Sequence, residues 1–142
     1  MTCRASDLLS LRQRGSSHLM STSESTPSDI LGRLRDELRR FAAERDWDQF
    51  HSPKNLASAL SVEAAELLEH FQWLTEEQSR QMPPETLSSV RHEIADVLLY
   101  LIRLADQLKI DLSDAANEKL RLNAEKYPVE KSRGNSRKYT SF

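Results

Sequence analysis

The sequence predicts an all-α protein built on a four-helix-bundle core. Three observations lead there. Long stretches repeat their apolar residues at three- and four-residue spacing, the period of a helix with one buried face. Only 3 Gly and 5 Pro occur in 142 residues, so turns are few. No segment alternates apolar and polar residues as a half-buried strand does. The length suits one domain with a real core.

Residues 1–26 stand apart. They are rich in Ser and Thr, and Gly15-Ser16-Ser17-His18-Leu19-Met20 reads as vector-derived sequence rather than as a transit peptide. They are expected to be unstructured and to contribute nothing to the fold. The helical domain is expected over 27–128, followed by a basic tail, 129–142, carrying Lys131, Arg133, Arg137 and Lys138.

The first helix should run from about Pro27 to Arg45. Thr26 can cap it, Pro27 suits its first position, and Ile30, Leu31, Leu34, Leu38 and Phe41 make its apolar stripe. An aromatic loop through Trp47 and His51 follows. Ser52 or Pro53 opens the second helix, expected to reach Trp73. Thr75-Glu76-Glu77-Gln78 is a capping box for a short helical turn. Pro83-Pro84 starts a third long helix over about 84–109. A fourth begins near Ser113 and stops before Pro128, because a residue preceding proline is driven out of helix.

Bulk properties narrow the function. A net charge of -2 gives no basic field for nucleic acid. No apolar run is long enough to span a membrane. One cysteine, Cys3, makes neither a disulfide framework nor a thiolate metal site, and a cytoplasmic protein is the expectation.

Four carboxylates carry the chemistry. Glu63 and Glu66, then Glu93 and Asp96, form two i, i+3 pairs on the second and third long helices. That spacing sets each pair on one helix face. An isolated pair is usually a solvated face. Here both pairs border apolar stripes: Leu56, Leu60, Ala64, Leu67, Leu68 and Phe71 on one helix, and Val90, Ile94, Val97, Leu98, Leu101, Ile102, Leu104 and Leu108 on the other. No Lys or Arg lies four residues from any of the four acids. Such an anion nest needs a cation, and oxygen-only ligands suit Mg²⁺, or Mn²⁺, bridging to substrate phosphates. One carboxylate, Glu66 or Glu93, could also serve as the base for an attacking water. The two tryptophans, Trp47 in a polar loop and Trp73 near the Glu66 face, are candidates for stacking a nucleobase.

These residues also resemble a family. Glu-x-x-Glu, a 26-residue spacer and Glu-x-x-Asp look like the all-α NTP pyrophosphohydrolases, the superfamily of MazG and dimeric dUTPases. Arg45-Asp46-Trp47-Asp48-Gln49-Phe50-His51, Phe71-Gln72-Trp73, Asp96-Val97-Leu98-Leu99-Tyr100-Leu101 and Ser136-Arg137-Lys138-Tyr139-Thr140 are similar to its dCTP pyrophosphatase branch. The resemblance implies Mg²⁺ on Glu63, Glu66, Glu93 and Asp96. It implies a nucleotide pocket from Trp47, His51, Trp73 and Tyr100, with Lys119 and Asn123 meeting the substrate. It implies cleavage of a (deoxy)nucleoside triphosphate, dCTP or a modified dCTP, to monophosphate and pyrophosphate by a homodimer or homotetramer. One departure concerns the base: Leu38 stands where that branch tends to carry a histidine.

Two rival classes fit these residues less well. A di-iron bundle uses Glu-x-x-His pairs, and here His70 lies four residues after Glu66 while no Glu lies three before His92. A non-enzymatic helical interaction module explains the bundle but not the two unneutralised acid pairs.

Overall fold

The computed structural model describes residues 30–141. The expected unstructured segment and the cap from Thr26 to Asp29 lie outside those residues. Among the described residues six helices run in order: α1, Ile30–Ala43; α2, Pro53–Glu69; α3, Glu76–Arg80; α4, Pro84–Leu108; α5, Leu112–Lys126; and α6, Val129–Ser132. Single 3₁₀ turns form at Asp48–Phe50 and Tyr139–Ser141, and the described residues contain no strand. The all-α class is as the sequence predicts, with its four long helices at α1, α2, α4 and α5.

Local signals set the boundaries. Ser52 caps α2 by accepting from Asn55 N–H at 3.2 Å, with Pro53 in the first turn. Thr75 and Gln78 form the expected capping box of α3, the Thr75 hydroxyl accepting from Gln78 N–H and the Gln78 side chain from Thr75 N–H. Asp111 caps α5 through Asp114 N–H at 3.0 Å.

Two boundaries differ from the sequence reading. Helix α2 stops at Glu69, not at Trp73. Beyond it the bonds tighten: Phe71 N–H and Gln72 N–H both reach Leu68 C=O at 2.9 Å. The cap of α3 explains this, because Thr75 must be extended (φ -72°, ψ 165°) and the chain needs the preceding residues to turn. The tail also gains structure, α6 and the last 3₁₀ turn, with Tyr139 packed edge-on against Tyr127 at 5.8 Å.

The end of α1 aims Trp47. Asp46 adopts a left-handed conformation (φ 53°), Trp47 N–H bonds Ala42 C=O at 2.9 Å and Asp46 N–H bonds Ala43 C=O at 3.1 Å. These are the two bonds of a Schellman motif, whose last residue packs back on the helix. Trp47 does so, meeting buried Phe41 edge-on at 5.7 Å. Arg45 covers the Phe41 ring, 3.5 Å from its centroid, and donates to Phe41 C=O at 3.0 Å. The same motif ends α4: Lys109 is left-handed (φ 59°) and Ile110 N–H bonds Ala105 C=O at 2.9 Å.

Helix α4 is the hub, packed along α2 and against α1. The buried apolar residues are few: Phe41, Ala42, Leu56, Val90, Ile102 and Ala105. This departs from the expected broad apolar arc on α4. Leu87, Ile94, Leu98, Leu101 and Leu108 are exposed, as are Ala64 and Leu68 on α2, while Glu63, Asp96, Arg103 and Asp106 are buried. Helix α4 lays its polar face on α2 and leaves its leucine face outward. Helix α5 buries no residue.

Lys109 occupies a conformation that glycine adopts without a Cβ penalty. Lys109→Gly is expected to stabilise the fold by about 0.5–1 kcal/mol, and Lys109→Val to destabilise it by a similar amount. Urea denaturation midpoints of the two variants measure both.

Candidate active site

The α2–α4 crossing is antiparallel, as its contacts show. Glu63 meets Glu93 near the end of α2, while His51, just before α2, meets Arg103 near the end of α4. At about 100° per residue, Glu93, Asp96, Tyr100 and Arg103 fall within an ~80° arc of α4. On α2, Leu56, Glu63, Leu67 and His70 share the facing arc by the same step. On the α4 side a polar seam therefore runs the length of the crossing, facing leucines as well as Glu63 on α2.

At one end of that seam are the acids. Glu63, Glu66 and Glu93 each offer a carboxylate oxygen, all within 4.8 Å of one another. Glu63 is only 4% exposed and Asp96 5%; Glu66 and Glu93 are half-buried. Asp96 is not one of the three converging carboxylates. It lies buried beside them, and its Oδ1 has no hydrogen-bond partner among the described residues. No ion pair among the described residues involves any of the four.

Such a cluster is unstable as four anions. Burial, then the neighbouring charges of Glu66, Asp96 and Glu93, push the Glu63 carboxyl up to about 7. Burial and the charges of Glu93 and Glu66 also raise Asp96, against the opposing pull of His92. A hard divalent cation is the other way to balance the charge. The donor set fits one: all oxygen, converging, with a buried orphan oxygen alongside.

Two turns along α4, about 10 Å from Asp96 by helix rise, the seam changes character. Arg103, also buried, donates from Nη1 to Asp106 Oδ2 at 2.9 Å, from Nη2 to Asp48 Oδ1, and from Nε to His51 Nδ1 at 3.3 Å. Arg39 of α1 holds Asp106 through Nε at 3.0 and 3.1 Å and through Nη2. These contacts, the Arg39 hydrogen bond first, keep the Asp106 carboxyl below its ordinary range. Two cations and two anions balance here, tying α1, the Asp48 turn and α4 together. The spacing of single acids offered no signal for Arg39, Arg103 or Asp106. The i, i+3 pair Arg103 and Asp106 within an apolar helix was the clue available.

The aromatic candidates divide. Trp47 is half-buried and meets His51 edge-on at 6.3 Å, so the loop presents both at the Arg103 end. Tyr100 is half-buried on the polar arc between Asp96 and Arg103. Trp73 lies beyond the end of α2 and is 86% exposed. Lys119 and Asn123 are exposed on α5, away from the buried seam of this chain. Leu38, with Leu34, Phe41 and Leu99, lines a separate cleft of 280 Å³ between α1 and α4.

Fold and site together define a helical bundle with an acidic centre between antiparallel helices. The sequence matches the model of the MazG-like family over residues 58–142, and the chain belongs to that family. It is 44% identical over 119 residues to dCTP pyrophosphatase 1 of Mus musculus, covering 82% of this chain and 70% of that protein. It is also 44% identical over 123 residues to the Bos taurus protein of that name, covering 85% and 70%. The fold is similar to the crystal structure of a pyrophosphatase from Archaeoglobus fulgidus, with TM-score 0.66 and 41% identity over 69% of this chain and 92% of that one.

The raised Glu63 carboxyl gives a pH signature. Between the ordinary carboxylate range and about 7, the folded protein holds a proton that the unfolded chain has released. Stability of the metal-free protein is therefore expected to fall as pH rises through that window. Thermal melts from pH 4.5 to 8 with chelator should show the decline, and Mg²⁺ or Glu63→Gln should flatten it.

Proposed function

We propose that this protein is a Mg²⁺-dependent nucleoside triphosphate pyrophosphohydrolase acting on dCTP or a modified dCTP. It releases the monophosphate and pyrophosphate, and its role is nucleotide-pool sanitation in the cytoplasm. The observation that carries the reading is the convergence of Glu63, Glu66 and Glu93 within 4.8 Å on a buried helix crossing. The names of the relatives, dCTP pyrophosphatase 1 in Mus musculus and Bos taurus, favour dCTP. No helix among the described residues is long and apolar enough to cross a membrane, in keeping with the compartment.

Glu63, Glu66 and Glu93 would hold Mg²⁺ (Mn²⁺ being the alternative), with Asp96 completing the set through its unpartnered oxygen. When bound, the cation supplies charge neutralisation between carboxylates and phosphates and stabilises the leaving pyrophosphate. Glu66 or Glu93 takes the proton of the water that attacks the α-phosphate. Trp47, His51 and Tyr100, further along the seam, receive the nucleoside, with Trp47 stacking on the base. The polar arc of α4 runs along this path, with the phosphates at the Asp96 end and the base at the Arg103 end.

The assembly follows from what the chain leaves uncovered. Leu87, Ile94, Leu101 and Leu108 repeat every seven residues on α4, joined by Leu98, and all are exposed. At roughly 25 cal/mol per Å² of apolar surface, such a strip is strongly stabilised by a cover. A second copy presenting the same strip covers it by two-fold symmetry. We infer a homodimer or a dimer of dimers, in which Trp73, Lys119 and Asn123, exposed in one chain, gain their nucleotide contacts from a neighbouring subunit's site. The opposing reading, a non-enzymatic interaction module, finds no observation in its favour beyond this same strip.

Glu63→Gln and Asp96→Asn are expected to reduce pyrophosphate release from dCTP by at least about 100-fold, the upper end of what even an outer-shell change costs at a metal site, with unchanged far-UV circular dichroism. Full activity in either variant rejects the metal assignment. Leu101→Glu is expected to shift the mass measured by light scattering to that of a smaller assembly; an unchanged mass places the interface elsewhere.

A further inference from the structure

Arg103 lies outside the acid cluster, and each of its three side-chain nitrogens donates a hydrogen bond. A guanidinium can only donate. Its Nε–H points at His51 Nδ1 at 3.3 Å, so that nitrogen must offer a lone pair. The single proton of a neutral imidazole then sits on Nε2. Protonating Nδ1 would place two N–H groups head to head and a cation against a buried cation. We propose that Arg103 is a positioning residue for the nucleoside end of the site: it fixes His51 as the neutral Nε2–H tautomer, an uncharged donor to a carbonyl oxygen or ring nitrogen of the base. On this assignment His51 takes no part in proton transfer and does not act as a cation toward phosphate. The inference rests on the proposed nucleotide site and specifies the chemistry of one of its residues.

The surroundings support it. Burial and the Arg103 charge hold the His51 imidazole below its ordinary range, opposed only by Asp48. Asp48, on the 3₁₀ turn, is itself bonded to Arg103, so its charge is already answered. Trp47 meets the ring edge-on and restricts its rotation. Asn55 N–H₂ donates to Phe50 C=O at 2.9 Å, and the Ser52 cap closes the loop on its other side. Arg103 and Asp96 share one face of α4, about 10 Å apart by helix rise, which is a nucleoside's length along the seam. A base with an exocyclic carbonyl next to a ring nitrogen, the arrangement in cytosine, offers the acceptor this donor needs.

The test is a ¹H–¹⁵N spectrum of the histidine side chains in the full chain, recorded from pH 5 to 8. His51→Gln identifies the signals by their loss. The expected result at pH 7 is a neutral ring with Nε2 protonated and Nδ1 bare, titrating below the ordinary histidine range. A Nδ1–H tautomer, or a cation at pH 7, overturns the proposal, and this arm needs no Arg103 variant to fold. Kinetics on dCTP give the second arm. Arg103→Met and Arg103→Lys are expected to raise KM about tenfold, the equivalent of one lost hydrogen bond, with kcat within about threefold. His51→Gln, whose amide can reach the Nε2 position, should hold KM within about threefold, while His51→Ala raises it about tenfold. A wild-type KM in folded Arg103→Lys, with only a lowered melting temperature, makes Arg103 purely structural and rejects the positioning role. If the wild type releases no pyrophosphate from any triphosphate, the proposed function fails instead. The tautomer is then still read from the spectrum, and titration of dCTP into His51→Gln and His51→Ala replaces KM with Kd.

Discussion

Arg103 joins three pieces of chain through one guanidinium. It reaches Asp106 on its own helix, Asp48 on the turn after α1 and His51 at the threshold of α2, while Arg39 of α1 completes the pairing by holding Asp106. Buried ion pairs add little net stability over a well-packed apolar isostere, because each charge first loses its hydration. What they provide here is direction. A guanidinium's donors are fixed in a plane, so satisfying all three partners allows one placement of the loop. The Schellman motif at Asp46 delivers Trp47 to that loop from the other side, so its position is set from both ends.

The two ends of the seam differ in their charge balance. At the Arg103 end, two guanidinium groups meet two carboxylates. At the Glu63 end, acids meet acids, and Asp96 keeps a buried oxygen without a partner. A protein selected for stability alone would not leave both conditions on one helix. The balanced end holds a loop in place, and the unbalanced end holds a deficit of positive charge. Protons fill that deficit at Glu63 up to about pH 7, which is the state a divalent cation displaces.

Much of this was legible in the sequence. Capping residues at Ser52 and Thr75, and the prolines at 53, 84 and 128, mark the helices within a residue or two, while the Asp111 cap of α5 went unread behind the expected start near Ser113. The acid pairs stood out by their spacing and their lack of basic neighbours. The end of α2 was misread because helical periodicity continues through Phe71 while the turn is imposed by the next cap, at Thr75. Beyond the Arg103–Asp106 spacing, the network was invisible for a related reason: Arg39 on α1 and Asp48 on the turn after it are ordinary charged residues in sequence, and only tertiary contact makes them partners. Periodicity also reported which residues of α4 are apolar without reporting what covers them. It assigned Ile94, Leu98 and Leu101 to the core of one chain, and they are on its outside.

That inversion bears on the proposed assembly and on the site together. On a helical wheel the exposed leucines of α4 centre about 160° from Asp96. The helix therefore divides its faces between two tasks. Its polar face meets α2 and the Asp48 turn within the chain, with the acids left to the proposed cation. Among the described residues its apolar face stays exposed, since α5, which might have covered it, buries nothing. A helix that is polar toward its own core is unstable as a monomer element, because burying acids yields no hydrophobic gain. Burying the leucines against a second copy would supply that gain without disturbing the polar face. On this argument, the proposed association of subunits would allow the interior of each to be devoted to charge, and the acidic centre and the leucine strip would be two consequences of one division of labour on α4.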